Sequence, residues 1–205
     1  IIEFFEVLRK IEPEPKGELE HVNPYTLLVA VALSAQATDK GVNAATRSLF
    51  KKVTTPEDMI NLGEKKLIEY IRTIGLYKTK AKNIMAAAQL LIERHNSIVP
   101  NDQKALEALP GVGRKTANVV RSMAFGENTI AVDTHVFRVA NRTGMAKGKN
   151  VVEVEEKLLK RIPKEYLFHA HHWLILHGRY TCLARKPKCA ECPVMHICGF
   201  KDKIT

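Results

Sequence analysis

Leu109-Pro110-Gly111-Val112-Gly113-Arg114-Lys115-Thr116 joins two stretches of helical periodicity through residues that suit no helix interior. Upstream, Asn101 to Leu109 reads as a helix with Ala105, Leu106, Ala108 and Leu109 on its apolar face, and Pro110 stops it. Downstream, Thr116-Ala117-Asn118-Val119-Val120 resumes the spacing towards Phe125. Pro110 to Gly113 is therefore expected to be a tight hairpin, with glycines where positive φ or close backbone approach is required. Bare N–H groups and the positive dipole end of the second helix then suit a phosphate. A hairpin of this kind grips a nucleic-acid backbone without reading bases. The same pattern also serves a helix–turn–helix used only for packing.

Lys115 favours the first of these. It falls in the first turn of the second helix, where a cation is disfavoured and its proton is more easily lost. An amine so placed is a nucleophile towards an electrophilic carbon and forms a Schiff base. Directly behind a phosphate-gripping turn, it would meet the sugar of a bound strand. The plainer reading is a solvated or phosphate-binding lysine.

Asp133 lies eighteen positions further on, at an expected helix start after a loop. Aspartate is a preferred N-cap, and capping does not exclude catalysis. A carboxylate near the lysine accepts its proton and offsets positive charge on a sugar ring as a base departs. Lysine plus aspartate beside a phosphate-gripping turn is a kit for cutting an N-glycosidic bond.

The whole chain has 205 residues, enough for a real core in one domain or two small ones. A net charge of +10 favours a polyanionic partner, nucleic acid before membrane. The longest apolar run, Tyr25 to Ala37, is too short to span a bilayer and carries Ser34 and Gln36. Ile1-Ile2-Glu3-Phe4-Phe5-Glu6 lacks the basic opening of a signal peptide, and the missing initiator methionine points to a trimmed or processed end. A soluble, intracellular protein is expected.

From the start of the chain, Ile1 to Ile11 has an apolar face of Ile2, Phe5 and Leu8, ended by Pro13 and Pro15. Asn23-Pro24 caps and starts a helix that is apolar nearly all round through Leu33, which places it centrally in the core. Asp39 is expected to cap the next helix, Lys40 to Lys52, and Thr55 the one after it. Lys65 to Thr73 is amphipathic, breaks at Gly75-Leu76-Tyr77, and gives way to a long helix over Lys78 to Glu93. Ile74 to Ala81 looks like a degraded echo of Leu109 to Lys115. Val136 to Arg142, Val151 to Arg161 and Lys164 to Tyr180 complete the helices. No sustained alternating strand is present, so the fold class is all-α.

Every cysteine falls in the last part of the chain, as Cys182, Cys189, Cys192 and Cys198, spaced C-x6-C-x2-C-x5-C. That confinement argues for one four-thiolate metal site, and disulfides do not suit a chain without secretory features. Spacing alone leaves zinc and an iron–sulfur cluster both open. Arg185-Lys186-Pro187-Lys188 forms a basic loop pinned between the first two ligands, so its cations meet phosphates at little entropic cost. His169, His171, His172 and His177 spread over different faces of a helix and read as structural.

Together, Ser34-Ala35-Gln36-Ala37-Thr38-Asp39, the Leu109 to Asn118 segment, Val132-Asp133-Thr134-His135, His171-His172-Trp173-Leu174 and the four-cysteine tail resemble the endonuclease III family. The resemblance runs from about Asn23 to Phe200. It implies a bifunctional DNA glycosylase and abasic-site lyase of base excision repair, acting on oxidised pyrimidines. It further implies two helical domains with a DNA-binding cleft between them. One is a six-helix barrel of residues 17–127 containing the helix–hairpin–helix. The other pairs residues 1–16 with 128–205 and holds a [4Fe–4S] cluster on the four cysteines.

By the same resemblance Lys115 and Asp133 are catalytic, and the damaged nucleotide is flipped out of the duplex. Gln36 and Leu76 fill the vacated stack, while Gly111, Val112, Gly113, Arg114, Thr116, Arg185, Lys186 and Lys188 contact DNA. The partner is damaged double-stranded DNA, and a monomer is expected. It would be cytoplasmic and nucleoid-associated in a prokaryote, or nuclear or mitochondrial in a eukaryote. The N-terminal segment matches the family only loosely. Two rivals stand beside this reading. One is a monofunctional glycosylase on the same scaffold, whose members generally lack the lysine. The other is a non-catalytic hairpin module with zinc on the cysteines.

Overall fold

The computed structural model describes residues 1–204, and among these the chain is wholly helical: eleven α-helices and one short 3₁₀ turn, with no strand. The helices are α1 Ile2–Ile11, α2 Pro24–Ser34, α3 Asp39–Leu49, α4 Pro56–Leu62, α5 Glu64–Ile71, α6 Tyr77–His95, α7 Gln103–Glu107, α8 Arg114–Phe125, α9 Thr134–Thr143, α10 Val151–Arg161 and α11 Lys164–Tyr180. The described residues form two compact units, one of residues 18–126 and the other of residues 1–17 with 127–204.

The unit of residues 18–126 is built on α2. Asn23 caps it by accepting the Thr26 N–H while the Thr26 hydroxyl accepts the Asn23 N–H, a reciprocal capping box ahead of Pro24. From Tyr25 to Leu33 nearly every side chain is buried, as an all-round apolar helix requires. Leu67, Ile71, Leu91, Leu106 and Val120 close the core around it. Full burial of each such side chain contributes about 1.5–3 kcal/mol.

The other unit joins α1 to the C-terminal helices. Phe5 stacks on Tyr166 with ring centroids 5.6 Å apart, and Trp173 Nε1 donates to the Glu12 carbonyl at 2.8 Å just past the end of α1. Phe4, Phe5 and Leu8 are the buried face of α1, whereas Ile2, expected inside, is 59% exposed. A single exposed aliphatic costs little, and Phe4 offers more apolar area. At Gly178, α11 crosses α9 so closely that an added Cβ would stand 2.9 Å from the His135 Cβ.

Of the helix starts that differ from the sequence reading, two have a capping cause. Thr38, not Asp39, caps α3 by accepting the Gly41 N–H at 3.2 Å. Asp39 sits instead in the first turn, where its charge meets the positive dipole end. The helix expected from Asn101 is the five-residue α7, capped by Asp102 through the Ala105 N–H at 2.8 Å. Asp102 competes for that N–H and delays the start.

Candidate functional site

The hairpin lies between α7 and α8. Leu109 and Val112 are buried and clamp the turn to the core, and the Val112 N–H donates to the Leu109 carbonyl at 3.1 Å. Val112 therefore anchors the turn with its side chain inward and its N–H engaged. Gly111 has φ +79°, and a Cβ there would lie 3.0 Å from the Asn83 Cβ on α6. This glycine meets both demands read from the sequence, left-handed backbone and close approach.

Gly113 meets neither. Its backbone is extended, and an added Cβ would find nothing within 4 Å. It is the N-cap of α8 and supplies no side-chain cap. The first helical bond runs from the Ala117 N–H to the Gly113 carbonyl at 3.0 Å, so the N–H groups of residues 114–116 precede the helical ladder. Open space at an uncapped helix start is what an approaching phosphate needs.

Arg114 and Lys115 are both exposed in this first turn, and Thr116 is half-buried behind them. The Lys115 amine is accessible, as a nucleophile must be.

Asp133 is half-buried at the N-cap of α9, in the other unit. Its Oδ1 accepts the N–H groups of His135 and Val136, both at 2.8 Å. Two backbone donors on one oxygen fix the carboxylate's direction. Ile130, Ala131 and Val132 are buried just ahead of it, which holds the approach to the cap in place.

Cys182, Cys189, Cys192 and Cys198 line one cavity together with His177, Pro187, Met195 and Phe200. Burial pushes the Cys192 thiol up, and Cys198, Cys182 and Cys189 push it further, against a lowering backbone N–H at Val194. Four thiols gathered this closely stay ionised together only around a cationic group, so the donor set fits an iron–sulfur cluster. Among the described residues no three His, Cys, Asp or Glu side chains are set around a single-ion position, the four histidines included. His171 and His177 are buried in the helical packing, as expected of structural histidines.

The basic loop is held as well as pinned. The Lys188 N–H donates to the Thr181 carbonyl at 3.0 Å, while Arg142 donates to the Leu183 and Ala184 carbonyls at 2.6 and 2.9 Å. Arg138 adds bonds to the carbonyls of Gly178 at 2.7 Å and Cys182 at 2.9 Å. Pro187 is buried, and Arg185, Lys186 and Lys188 point their charge to solvent.

Gln36 and Leu76 share an unusual trait: both have left-handed backbone, at φ 56° and 58°, and both are exposed. Sequence reasoning missed a residue bonded beside both of them. Lys80, inside the echo of the hairpin motif, is buried, and its Nζ donates to the Leu33 and Ala35 carbonyls. A lysine on the core side of an amphipathic helix was the available signal. No helix is long and apolar enough to cross a membrane among the described residues.

Comparison with known proteins shows the family. Residues 29–164 match the HhH-GPD superfamily base excision DNA repair protein family, and residues 182–198 match the iron–sulfur binding domain of endonuclease III. The chain is 57% identical to endonuclease III of Haemophilus influenzae, over 99% of this chain and 96% of that protein. It is 56% identical to endonuclease III of Escherichia coli K12, over the same shares. Among solved structures, a trapped endonuclease III–DNA covalent intermediate superposes with a TM-score of 0.90 at 48% identity, covering 96% of this chain and 93% of that one. A thermostable thymine-DNA glycosylase shares the fold, with a TM-score of 0.87 at 24% identity over 99% of this chain and 96% of the other.

Proposed function

The chain belongs to the endonuclease III family of base excision DNA repair proteins, and on that premise we propose that Lys115 is the amine through which it acts. The protein is a bifunctional DNA glycosylase and abasic-site lyase with a [4Fe–4S] cluster. Its substrates in this reading are oxidised pyrimidines in duplex DNA. The observation that carries the assignment is the exposed Lys115 in the first turn of α8, directly behind the Gly111–Gly113 hairpin.

The reaction proceeds at the sugar. Lys115 Nζ, relieved of its proton with Asp133 as acceptor, attacks C1′ of an extruded nucleotide, and the bond from C1′ to the base breaks with its electron pair going to the base. The ring then opens to a Schiff base between C1′ and Nζ. Loss of a proton from C2′ expels the 3′ phosphate by β-elimination, and water releases the lysine. Asp133 also offsets positive charge on the sugar.

The remaining residues bind and orient. Gly111, Gly113, Arg114 and Thr116 meet the backbone, with Val112 anchoring their turn. Gln36 and Leu76 fill the stack left by the extruded nucleotide. Cys182, Cys189, Cys192 and Cys198 hold the cluster, which when bound cross-links the tail and presents Arg185, Lys186 and Lys188 to phosphates. We take residues 17–127 as the barrel domain, and residues 1–16 with 128–205 as the cluster domain, of a monomer working on nucleoid DNA.

Borohydride reduction with abasic-site DNA tests the central claim. Native protein is expected to give a covalent protein–DNA adduct that Lys115→Gln lacks. Abasic-site nicking by Lys115→Gln at the native rate removes Lys115 from this role.

A further inference from the structure

Lys80 points its ammonium into the protein. The side chain is 8% exposed, and Nζ donates to the Leu33 carbonyl at 2.9 Å and the Ala35 carbonyl at 2.6 Å. Both acceptors sit at the C-terminal end of α2, where the last carbonyls lack helical donors and the negative dipole end favours a cation. Burial lowers the Lys80 amine from its ordinary range, and these carbonyls are what stabilise a charged group there.

The backbone N–H of the same residue donates to the Leu76 carbonyl at 3.0 Å. Lys80 thus ties two turns together. One is Ser34 to Ala37, closed by the Ala37 N–H on the Ser34 carbonyl at 3.0 Å, with Ala35 at φ −57°, ψ 116° and Gln36 at φ 56°. That is a type II turn with Gln36 where glycine is preferred. The other places Leu76 at φ 58°, ψ 27° immediately before α6, its side chain 63% exposed. Neither conformation is one that glutamine or leucine adopts unforced.

We propose that Lys80 is a positioning residue that sets these two turns so that Gln36 and Leu76 point together into duplex DNA around an extruded nucleotide. The inference rests on the reading that those two side chains fill the vacated stack. Lys80 itself touches no DNA. It holds the C-terminal end of α2 to the N-terminal turn of α6, so the two wedges share one mount. Without the ammonium, the Leu33 and Ala35 carbonyls lose their donor and the Gln36 turn relaxes to a cheaper backbone.

The test is a ratio of two rates in one protein: base excision from a lesion-bearing duplex over cleavage of an abasic site in single-stranded DNA, which has no stack to fill. Lys80→Met keeps length without a donor and is expected to lower this ratio about tenfold or more. Added to Gln36→Gly/Leu76→Gly, it is expected to change the ratio by less than about twofold, because it acts through those residues. A parallel fall of both rates marks a merely structural lysine and overturns the proposal, as does an unchanged ratio or a full additional effect in the combined variant. If Gln36→Gly/Leu76→Gly alone leaves the ratio unchanged, the wedge reading fails, and this proposal with it. Should Lys80→Met not fold by circular dichroism, Lys80→Leu, which also lacks a donor, carries the same comparison.

Discussion

Arg142 places a guanidinium nitrogen 3.6 Å from the Cys182 sulfur while donating to the Leu183 carbonyl at 2.6 Å. The same side chain packs over the Phe200 ring at 4.7 Å. One residue on α9 therefore braces both ends of the cysteine tail. A donor on the Cys182 sulfur and a fixed loop beside it keep that ligand in place. Arg142→Ala is expected to speed cluster loss to a chelator by about 10- to 100-fold, followed as decay of visible absorbance. Decay at the native rate would mean that Arg142 only packs against the tail.

Asp133 carries two duties, a cap and a charge, and two substitutions separate them. An asparagine side chain can still accept the His135 and Val136 N–H groups, so Asp133→Asn should melt close to the native protein. Asp133→Ala loses the cap and about 1 kcal/mol. If the charge serves the lysine, Asp133→Asn slows excision about 100-fold despite its intact fold. A native excision rate in single-turnover kinetics would leave Asp133 as a cap alone.

The two hairpin glycines should fail in different ways. Alanine in place of Gly111 meets left-handed backbone and the Asn83 Cβ at 3.0 Å, so Gly111→Ala is expected to cost about 1–3 kcal/mol in denaturant unfolding. Alanine in place of Gly113 meets no atom within 4 Å, and stability should fall by no more than about 1 kcal/mol, the cost of a poorer N-cap. Its methyl group nevertheless stands at the uncapped start of α8. Gly113→Ala should bind lesion-bearing and undamaged duplexes more weakly by a similar factor, since a phosphate contact carries no sequence information. Unchanged affinity for both duplexes would take the phosphate away from this turn.

Acid should loosen the unit of residues 18–126 at the start of α4. Asp58 accepts the N–H groups of Thr54 and Thr55 at 2.9 and 3.0 Å, and these bonds hold its carboxyl below the ordinary value of 3.8. A carboxyl depressed on folding stabilises the native state above its unfolded pKa. That contribution is lost as the pH falls from 3.8 through the folded value. Asp58→Asn should therefore be less stable near neutrality and show a flatter decline in unfolding free energy through that window. Parallel curves for the two proteins would exclude Asp58 from acid unfolding.

Legibility followed the range of the interactions. Caps at Asn23 and Thr55, the all-round burial of α2, and the limits of α10 and α11 depend on neighbours a few positions away. Such contacts are written in local residue order. Asp39 is a misleading cap signal because two adjacent capping residues compete, and only the backbone at Thr38 shows which one accepts. Ile2 misleads for another reason: periodicity gives a face but not the neighbour it meets.

From residue order alone came an all-helical chain, its glycine hairpin with Lys115 behind it, and four thiols confined to one tail. Those features require only helical period, turn chemistry and spacing. Folding decided which distant groups meet: Lys80 on carbonyls 47 and 45 residues upstream, Arg142 on the loop after Cys182, Trp173 on Glu12. Each of those is a polar group whose partner is selected by burial, because a donor removed from water must take whichever acceptor the packing presents. No local pattern records that choice.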